Sequence, residues 1–311
     1  MIKRTLCFSH PAWLSVCNKQ LIIKIPGMDQ TDLPPSHKKL ATTTIPIEDI
    51  GIIILDHQQI TITHNVFEEL LNNNAAIISC NNQHLPTGLL LPLSGNTTQS
   101  ERFQNQISAS LPLKKQLWQQ TISQKIINQA AILHTTRNTE IQCMLKWAQN
   151  VKSGDPDNLE GRAAAYYWPR LMNHQPNWTR SREGDWPNPI LNYGYAILRA
   201  IVARSLVASG MLPTLGIHHH NRYNAYCLAD DIMEPYRPYI DQLVIKLIHN
   251  YPSTTEITIG LKKQLLAIPI LDVIINGKRS PLMVAVSQTT ASLYKCFNGE
   301  IRKISYPSIS I

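Results

Sequence analysis

Side chains suited to metal chemistry are concentrated between Pro213 and Asp241 of this 311-residue chain. Only 16% of the residues are charged, which makes such a concentration unusual. Imidazole nitrogen and carboxylate oxygen together suit Mn²⁺ and, with more oxygen and water ligands, Mg²⁺. The segment therefore predicts metal-assisted chemistry, and its candidate ligands are His218, His219, His220, Asp230, Asp231 and Glu234.

One histidine and one carboxylate leave a metal ion with too few ligands, so a further ligand should come from elsewhere in the chain. Glu160 is the best candidate, because the turn-rich residues 154–158 lead into 163–165, three alanines that favour a helix. A carboxylate at a helix entrance can project into a cleft that another segment closes. Such a site would leave positions for water and a phosphate oxygen.

Each candidate also has a purely structural interpretation. Asp157-x-x-Glu160 and Asp231-x-x-Glu234 both resemble capping boxes, in which the second residue reaches back to the start of a helix. The histidine run could be an exposed tract without a ligand. Adjacent side chains diverge, so three consecutive histidines cannot all reach one ion. On these residues alone, the metal site and the structural interpretation both stay open.

Four segments resemble the CRISPR-associated family of spacer-integrating endonucleases called "Cas one". They read N-L-E-G-R-A-A-A-Y-Y-W at 158–168, L-N-Y-G-Y-A-I-L-R-A at 191–200, P-T-L-G-I-H-H-H-N at 213–221 and D-I-M-E-P-Y-R-P at 231–238. The similarity continues into the N-terminal half through 45–56 and 80–88, and it is greatest to the compact form found beside type II effector nucleases. The resemblance implies one catalytic and metal-binding set, with Mg²⁺ or Mn²⁺ as cofactor: Glu160, His219 and Glu234.

Several further residues are predicted to act around this site. Guanidinium groups match phosphate oxygens, so arginines near the motifs are candidate DNA contacts. Asp230 could contact a water of the metal shell, and Asp231 could simply cap a helix. The candidate DNA-binding residues are Arg162, Arg170, Arg180, Arg182, His218, Arg222 and Arg237.

Two of these arginine predictions have alternatives. Arg180 and Arg182 lie in the Pro-rich loop 173–189 beside tryptophans, where charge and stacking could hold a nucleic-acid strand. An ordinary solvated loop is equally consistent with that composition. Arg237 precedes Asp241 by one helical turn, so a salt bridge within the helix is its alternative.

The elements predict an α+β fold with a β-rich, β-sandwich-like domain at 1–95, a linker at 96–112 and an α-helical catalytic domain at 113–311. Short β-branched runs at 21–25, 50–55, 60–63 and 76–80 predict strands, with one helix at 66–71. Helical spacing begins at Leu113 and places Lys114, Lys115 and Lys125 on the surface. Further helices are expected at 140–150, 161–172, 190–209 (central and buried), 236–249 and 281–297, the last with Ser280 as its N-cap before Pro281.

Composition narrows the classes of protein. The net charge of +8 favours a polyanionic partner. Six cysteines without a C-x-x-C pair argue against a zinc ribbon and a disulfide framework. No run of about 18 apolar residues and no signal peptide is found, so a cytoplasmic protein without membrane contact is expected. P-loop, zinc-protease and serine-esterase motifs are not found either.

The resemblance implies a metal-dependent DNA endonuclease and integrase of bacterial antiviral defence. Its 3′-hydroxyl attack on a phosphodiester would insert short foreign DNA fragments into a CRISPR array. The implied partners are double-stranded DNA, a second copy of the chain, the small protein "Cas two" in a heterohexamer, and the type II effector nuclease. The alternatives are a structure-specific DNA repair nuclease and a non-catalytic DNA-binding architectural module.

Overall fold

Strands fill the first third of the chain and helices most of the remainder. A computed structural model describes residues 3–26, 42–173, 178–251 and 256–310. The chain divides into two units, Met1–Gly95 and Asn96–Ile311. The first is mainly β and the second mainly α, which confirms the predicted α+β class.

Two four-stranded sheets build the described part of the first unit. One sheet has the order β1-β5-β7-β8, in which β1, β5 and β7 run parallel and β8 antiparallel to β7. The other has the order β4-β3-β2-β6. The bounds are β1 (Arg4–Phe8), β2 (Ala12–Cys17), β3 (Gln20–Lys24), β4 (Thr42–Pro46), β5 (Ile50–Leu55), β6 (Ile60–Ile62), β7 (Ala76–Cys80) and β8 (Pro86–Leu90).

Apolar residues from both sheets meet in one core, which agrees with the predicted sandwich-like arrangement. The core is completed by helix α1 (His64–Asn72), through Val66 and Leu70. Strand β5 is almost entirely buried, as expected for a central strand covered on both faces. Its Ile-rich composition is what made it predictable from the sequence.

The second unit contains nine α-helices within the described residues. Their bounds are α2 (Gln99–Ser108), α3 (Leu111–Arg137), α4 (Gln142–Asn150), α5 (Leu159–Leu171), α6 (Asn188–Ala208), α7 (Cys227–Met233), α8 (Arg237–Asn250), α9 (Ile259–Leu265) and α10 (Leu282–Phe297). A small sheet adds β9 (Asp272–Ile275), β10 (Lys278–Pro281) and β11 (Pro307–Ser308).

Two long helices organise this unit. Helix α3 begins at Ser110, whose side chain accepts a hydrogen bond from the Leu113 amide, and ends at Asn138 in a left-handed conformation. Helix α6 is long and apolar enough to cross a membrane, but 83% of its apolar 18-residue window is buried inside the protein. It is the predicted central core helix.

The structure differs from the sequence prediction in several places. Strands β1, β2, β4 and β8 and helix α9 were not predicted. The predicted linker 96–112 contains α2, and the Gln106 side chain donates to the Leu212 and Leu215 carbonyls, so this polar stretch belongs to the helical unit. The predicted Ser280 cap is wrong, because Ser280 lies in β10 and Pro281 occupies the cap position. Strands β9 to β11 were not predicted, because their short runs lack strong alternation. No disulfide joins the six cysteines, all of which lie within the described residues.

Gly194 shows how closely α6 and α8 pack. A Cβ atom at Gly194 would lie 2.6 Å from the Cγ2 atom of Ile240, a fully buried residue of α8. We expect Gly194→Ala to lower the free energy of unfolding by about 1–3 kcal/mol, because overpacking outweighs the better helix propensity of alanine. Urea denaturation measures this change.

Gly260→Ala is the matched control, since Gly260 is also helical but its Cβ would meet nothing closer than 3.8 Å. This control should leave stability unchanged or raise it by up to about 1 kcal/mol. Equal effects of the two substitutions would contradict the close approach of α6 and α8.

Candidate metal and DNA site

Glu160 lies in the first turn of α5, and other residues cap that helix. The Asn158 side chain accepts from the Gly161 amide at 3.1 Å, while the Asp155 carboxylate accepts from the Leu159 and Glu160 amides. Asp157 pairs instead with Lys152 at 2.8 Å. The capping-box alternative for Glu160 is therefore wrong, and its carboxylate is available to the site.

Asp231 fixes the histidine segment from inside α7. Its side chain is fully buried and accepts hydrogen bonds from three consecutive backbone amides, those of Ile217, His218 and His219. The turn before them needs glycine, because a Cβ at Gly216 would lie 2.4 Å from the His219 carbonyl oxygen. Asp231 is thus an anchor for the histidine loop and not the helix cap that the sequence suggested.

His219 is held in a defined orientation by the same carboxylate. Its Nδ1 lies 2.5 Å from Asp231 Oδ1, which leaves Nε2 as the ring atom available to a ligand. The hydrogen bond to Asp231 raises the pKa of His219 despite burial, and Glu234 and Glu160 add to the rise. The two glutamates therefore lie close enough to His219 to interact with its charge.

The rings of His218 and His219 are nearly perpendicular, with 5.4 Å between their centroids. The His218 ring stacks in parallel on Trp118 of α3, with 4.1 Å between ring centroids, while His219 contacts the same indole edge-on at 5.5 Å. Burial, and then the neighbouring His219, lowers the pKa of His218. Adjacent histidines thus have different environments, as the backbone geometry required.

Lys125 joins the two candidate glutamates. It projects from the middle of α3, and its Nζ lies 2.6 Å from Glu160 Oε1 and 2.6 Å from Glu234 Oε2. Arg237 donates from Nε to the other oxygen of Glu234 at 2.8 Å. Two carboxylates from distant parts of the chain therefore meet on one nitrogen.

Helix α3 also fixes the backbone next to Glu234. The Asn128 side chain donates to the Pro235 carbonyl at 2.7 Å, one turn after Lys125 on the same helix. Burial acts to raise the pKa of Glu234, but Arg237 and Lys125 bring it down to about 2. Burial lowers the pKa of Lys125, yet Glu234 and Glu160 outweigh it and the result is a raised value. Glu234 and Lys125 are therefore both charged at neutral pH.

Sequence reasoning placed Lys125 on the surface, and that placement is wrong, since only 12% of its side chain is exposed. The spacing of polar residues along α3 is the sequence feature that could have predicted an internal position for Lys125. Thr121, Lys125, Asn128 and Gln129 recur at helical intervals, and all but Lys125 are buried. A polar stripe on an otherwise buried helix face indicates an internal polar site.

The donor set fits a hard divalent cation. Among residues that the structure describes, no three His, Cys, Asp or Glu side chains already stand in a metal-ligating arrangement. Glu234 Oε2, however, is buried and makes no hydrogen bond there, although it is ion-paired with Lys125. Carboxylate oxygens beside an imidazole oriented by an aspartate are a usual ligand set with its supporting group.

Two predicted side-chain roles are corrected by the structure. Asp230 pairs with Arg199 at 2.7 Å and accepts from Asn224, so it faces these residues and not the glutamates. Arg237 pairs with Glu234 and not with Asp241. Asp241 instead accepts hydrogen bonds from the hydroxyls of two buried tyrosines, Tyr167 and Tyr195.

A cavity of about 320 Å³ adjoins the cluster. Arg180 is positioned in it by neutral partners, the side-chain oxygens of Asn188 and Asn192. Three of the predicted DNA-binding arginines line this cavity. The complete lining is Lys125, Gln129, Ala164, Trp168, Arg180, Ser181, Arg182, Tyr195, Glu234, Arg237 and Asp241.

The other predicted DNA contacts lie outside this cavity. Arg170 stacks on Tyr166 at 3.5 Å, Arg162 lies 6.0 Å from the Trp147 ring, and Arg222 contacts Tyr223. All three arginines are exposed. Part of the predicted loop 173–189, residues 174–177, lies outside the described residues.

Comparisons with known proteins find a family model and relatives that match most of the chain. The family model described as CRISPR associated protein Cas1 matches residues 7–258. The CRISPR-associated endonuclease Cas1 of Neisseria meningitidis serogroup C (strain 8013) is 35% identical over 293 residues, 94% of this chain and 91% of that protein.

Solved structures are similar over nearly the whole chain. A casposase bound to its integration product superposes with a TM-score of 0.78 at 20% identity, covering 98% of this chain and 92% of that one. A chain of a Cas6-RT-Cas1–Cas2 complex gives a TM-score of 0.72 at 18% identity, covering 97% of this chain and 35% of that one. At these identities the similarity establishes the fold.

Asp241 makes stability depend on pH near the site. Burial raises its pKa to about 6, although the hydroxyls of Tyr195 and Tyr167 oppose the rise. A carboxyl group whose folded pKa is raised stabilises the fold at low pH, and this contribution is lost as pH rises from about 4 to about 6. Relative to Asp241→Asn, the wild type should therefore lose up to about 3 kcal/mol of unfolding free energy between pH 4 and pH 7.

Urea denaturation of both proteins across this range measures the difference. Asp157→Asn, which changes an exposed carboxylate, is the control and should show little pH-dependent difference from the wild type. A wild type that gains stability over Asp241→Asn as pH rises would contradict the assignment.

Proposed function

The chain belongs to the Cas1 family of CRISPR-associated endonucleases, and we propose that it is a metal-dependent DNA integrase that inserts short foreign DNA fragments into a CRISPR array. The same site, offered water in place of a 3′-hydroxyl, would act as an endonuclease on phosphodiester bonds. The work of the protein would be done in the cytoplasm, during adaptation of bacterial antiviral defence.

One observation carries this proposal: Glu160 and Glu234 meet on Lys125 beside an oriented His219. The two glutamate oxygens lie at most twice 2.6 Å apart, because each is 2.6 Å from the same nitrogen. A separation of that size allows one ion to bind both after a small movement. Glu160, His219 and Glu234 are the proposed metal ligands.

Each of these residues has a distinct part in holding Mg²⁺ or Mn²⁺. The glutamates supply charged oxygens, His219 supplies Nε2, and Asp231 fixes the ring through Nδ1. A bound ion would lower the pKa of the attacking hydroxyl and neutralise charge that develops at the phosphate. Arg237 keeps Glu234 ionised and in place through its hydrogen bond.

The proposed reaction is a transesterification. The 3′-oxygen of the captured fragment forms a bond to a phosphorus atom at the 5′ end of the repeat, and the bond from that phosphorus to the 3′-oxygen of the adjoining nucleotide breaks. The proton of the attacking hydroxyl leaves to solvent, and the departing oxygen gains one. One phosphodiester replaces another, so no external energy source is needed.

The cavity beside the glutamates supports a path for the DNA backbone. Arg180, Arg182 and Arg237 line it together with Lys125, so cations outnumber the carboxylates of Glu234 and Asp241 there. Guanidinium groups bind phosphate oxygens in a fork geometry, and Trp168 offers a ring on which a base could stack. We assign this cavity to phosphates next to the reacting bond, and the remaining predicted arginines to flanking DNA.

The proposed partners follow from the family. A protein of the same fold is part of a Cas6-RT-Cas1–Cas2 complex, which supports a small "Cas two" partner for this chain. The homodimer and the heterohexamer are proposed from the family resemblance alone. Double-stranded DNA, both fragment and repeat, would be the substrate, and the type II effector nuclease a further partner. The family favours this function over a DNA repair nuclease or an architectural module.

Removing the Glu160 carboxylate tests the site. We expect Glu160→Gln and Glu160→Ala to reduce strand joining and nicking by about 100-fold or more, because the metal loses a charged ligand. A labelled DNA duplex with Mn²⁺ measures both reactions. A substrate without 3′-hydroxyls should abolish joining by the wild type and leave nicking.

Glu140→Gln is the matched control, since Glu140 is an exposed carboxylate at the surface of the same unit. It should retain wild-type rates. Strand joining by Glu160→Ala at the wild-type rate would reject the ligand assignment.

Removing an exposed cavity arginine tests the DNA path. Arg182→Gln should weaken duplex binding by about 3–10-fold near 0.1 M salt and reduce the slope of log affinity against log salt by about one, because one phosphate contact is lost. Fluorescence anisotropy across a salt series measures both quantities.

Lys295→Gln removes an equally exposed positive charge that does not line the cavity. Its salt slope should stay close to that of the wild type. If the two variants lose affinity and slope equally, the binding is diffuse and the assigned path is wrong.

A further inference from the structure

Lys125 occupies the position between the two glutamates that a metal ligand set would otherwise share. Its Nζ makes a hydrogen bond with Glu160 Oε1 and an ion pair with Glu234 Oε2, both at 2.6 Å. The contact with Glu234 has no hydrogen-bond geometry, so that oxygen is held by charge alone. One ammonium group therefore does electrostatically what a bound cation would do.

The charges of the cluster are balanced without a metal ion. Lys125 and Arg237 are the two cations, and Glu160 and Glu234 are the two anions. A divalent cation added while Lys125 stayed in place would give an excess of positive charge within a few ångströms. Like charges at such distances repel strongly where solvent is restricted, since the side chain of Glu234 is only 7% exposed.

The two cations differ in how easily they can move. Arg237 is held by a hydrogen bond from its Nε to Glu234 Oε1 and packs over the Tyr195 ring at 4.6 Å. Lys125 has a flexible four-carbon stem and also lines the cavity beside Arg180, so its ammonium has polar space to enter. Lys125 is the cation that can yield its place.

We propose that Lys125 is an internal counter-ion of the metal site, which holds Glu160 and Glu234 together before Mg²⁺ or Mn²⁺ binds and is displaced when the ion enters. This inference rests on the proposed function and adds that Lys125 sets the affinity of the site for the metal ion. The site is preorganised, but each binding event has to overcome the ion pairs of Lys125. After displacement, the ammonium faces the cavity assigned to phosphates.

Metal affinity of a charge-neutral variant tests the proposal. Lys125→Met nearly preserves side-chain length and removes the charge, so Mn²⁺ should bind roughly tenfold more tightly than to the wild type, because one repelling charge is gone. The metal-free variant should melt about 2–6 °C lower, since buried Glu234 loses a partner. Isothermal titration calorimetry and thermal melts in EDTA or Mn²⁺ measure these quantities without DNA.

Lys114→Met is the matched control, since Lys114 lies on the same helix three turns earlier and is not part of the cluster. It should leave Mn²⁺ affinity unchanged. A purely structural Lys125 would misplace the glutamates when removed, so equal or weaker Mn²⁺ binding by folded Lys125→Met overturns the proposal. Lys125→Gln replaces the Met variant if far-UV circular dichroism shows loss of the native fold.

Chemical labelling tests displacement in the wild type, where no variant has to fold. Sulfo-NHS-acetate acylates accessible amines, and mass spectrometry reports the rate at each lysine. Mg²⁺ should increase acylation of Lys125 at least about threefold and leave Lys114 unchanged, because an amine released from the two carboxylates is more accessible to the reagent. An unchanged Lys125 rate at saturating Mg²⁺ overturns the proposal.

Glu160→Gln separates this inference from the proposed function. If this variant and the wild type bind Mn²⁺ equally, the ligand set itself is wrong and the proposed function fails with it. If Glu160→Gln loses Mn²⁺ binding while Lys125→Met gains none, the metal site stands and only the role of Lys125 is rejected.

Discussion

A buried, ionised carboxylate is the constraint on which this site depends. Glu234 is only 5% exposed, and a charge in such surroundings must be compensated nearby. Arg237 compensates from the next helix and Lys125 from α3. Because Lys125 also reaches Glu160, the compensation of one carboxylate brings the second into the site.

A second buried carboxylate, Asp231, controls the geometry of the histidines. Its two oxygens accept hydrogen bonds from three backbone amides and pair with one ring nitrogen. The segment 217–219 is therefore fixed as a unit. His219 then lies close enough to the two glutamates to interact with their charges, while the His218 ring stacks on Trp118. Asp231 and Glu234 are neighbours along the chain with different functions: one positions the loop and the other is a candidate ligand.

The sequence predicted the elements whose composition is distinctive. Strand β5 and helix α6 were predicted because continuous apolar runs of their lengths have few other structures available. Helix α2 was missed because polar residues dominate it and its burial depends on Gln106, a contact more than a hundred residues distant. Long-range polar contacts of that kind leave no periodic signal.

Some residues of the candidate site were likewise predictable from the sequence, and others were not. Motif resemblance selected Glu160, His219 and Glu234, and the structure brings these segments together, although their role as ligands stays a prediction. The roles suggested for Asp230 and Asp231 came from their spacing in the sequence and differ from their contacts in the structure, because neighbouring carboxylates differ only in which side of α7 they occupy. Lys125 was misplaced because a lone lysine in an amphipathic helix is usually exposed.

Helix α3 contacts every segment that contributes to the candidate site. A single 27-residue helix supplies Trp118 to the histidines, Lys125 to the glutamates and Asn128 to the backbone after Glu234. Lys125 and Asn128 belong to the polar stripe of α3, and Trp118 lies seven residues before Lys125, close to two helical turns. Because the helix is rigid, the distances between its side chains stay constant. The histidine loop, Glu160 and the segment around Glu234 are therefore positioned relative to one another by their contacts with α3. Preorganisation of the site is therefore a property of α3 as much as of the candidate ligands themselves.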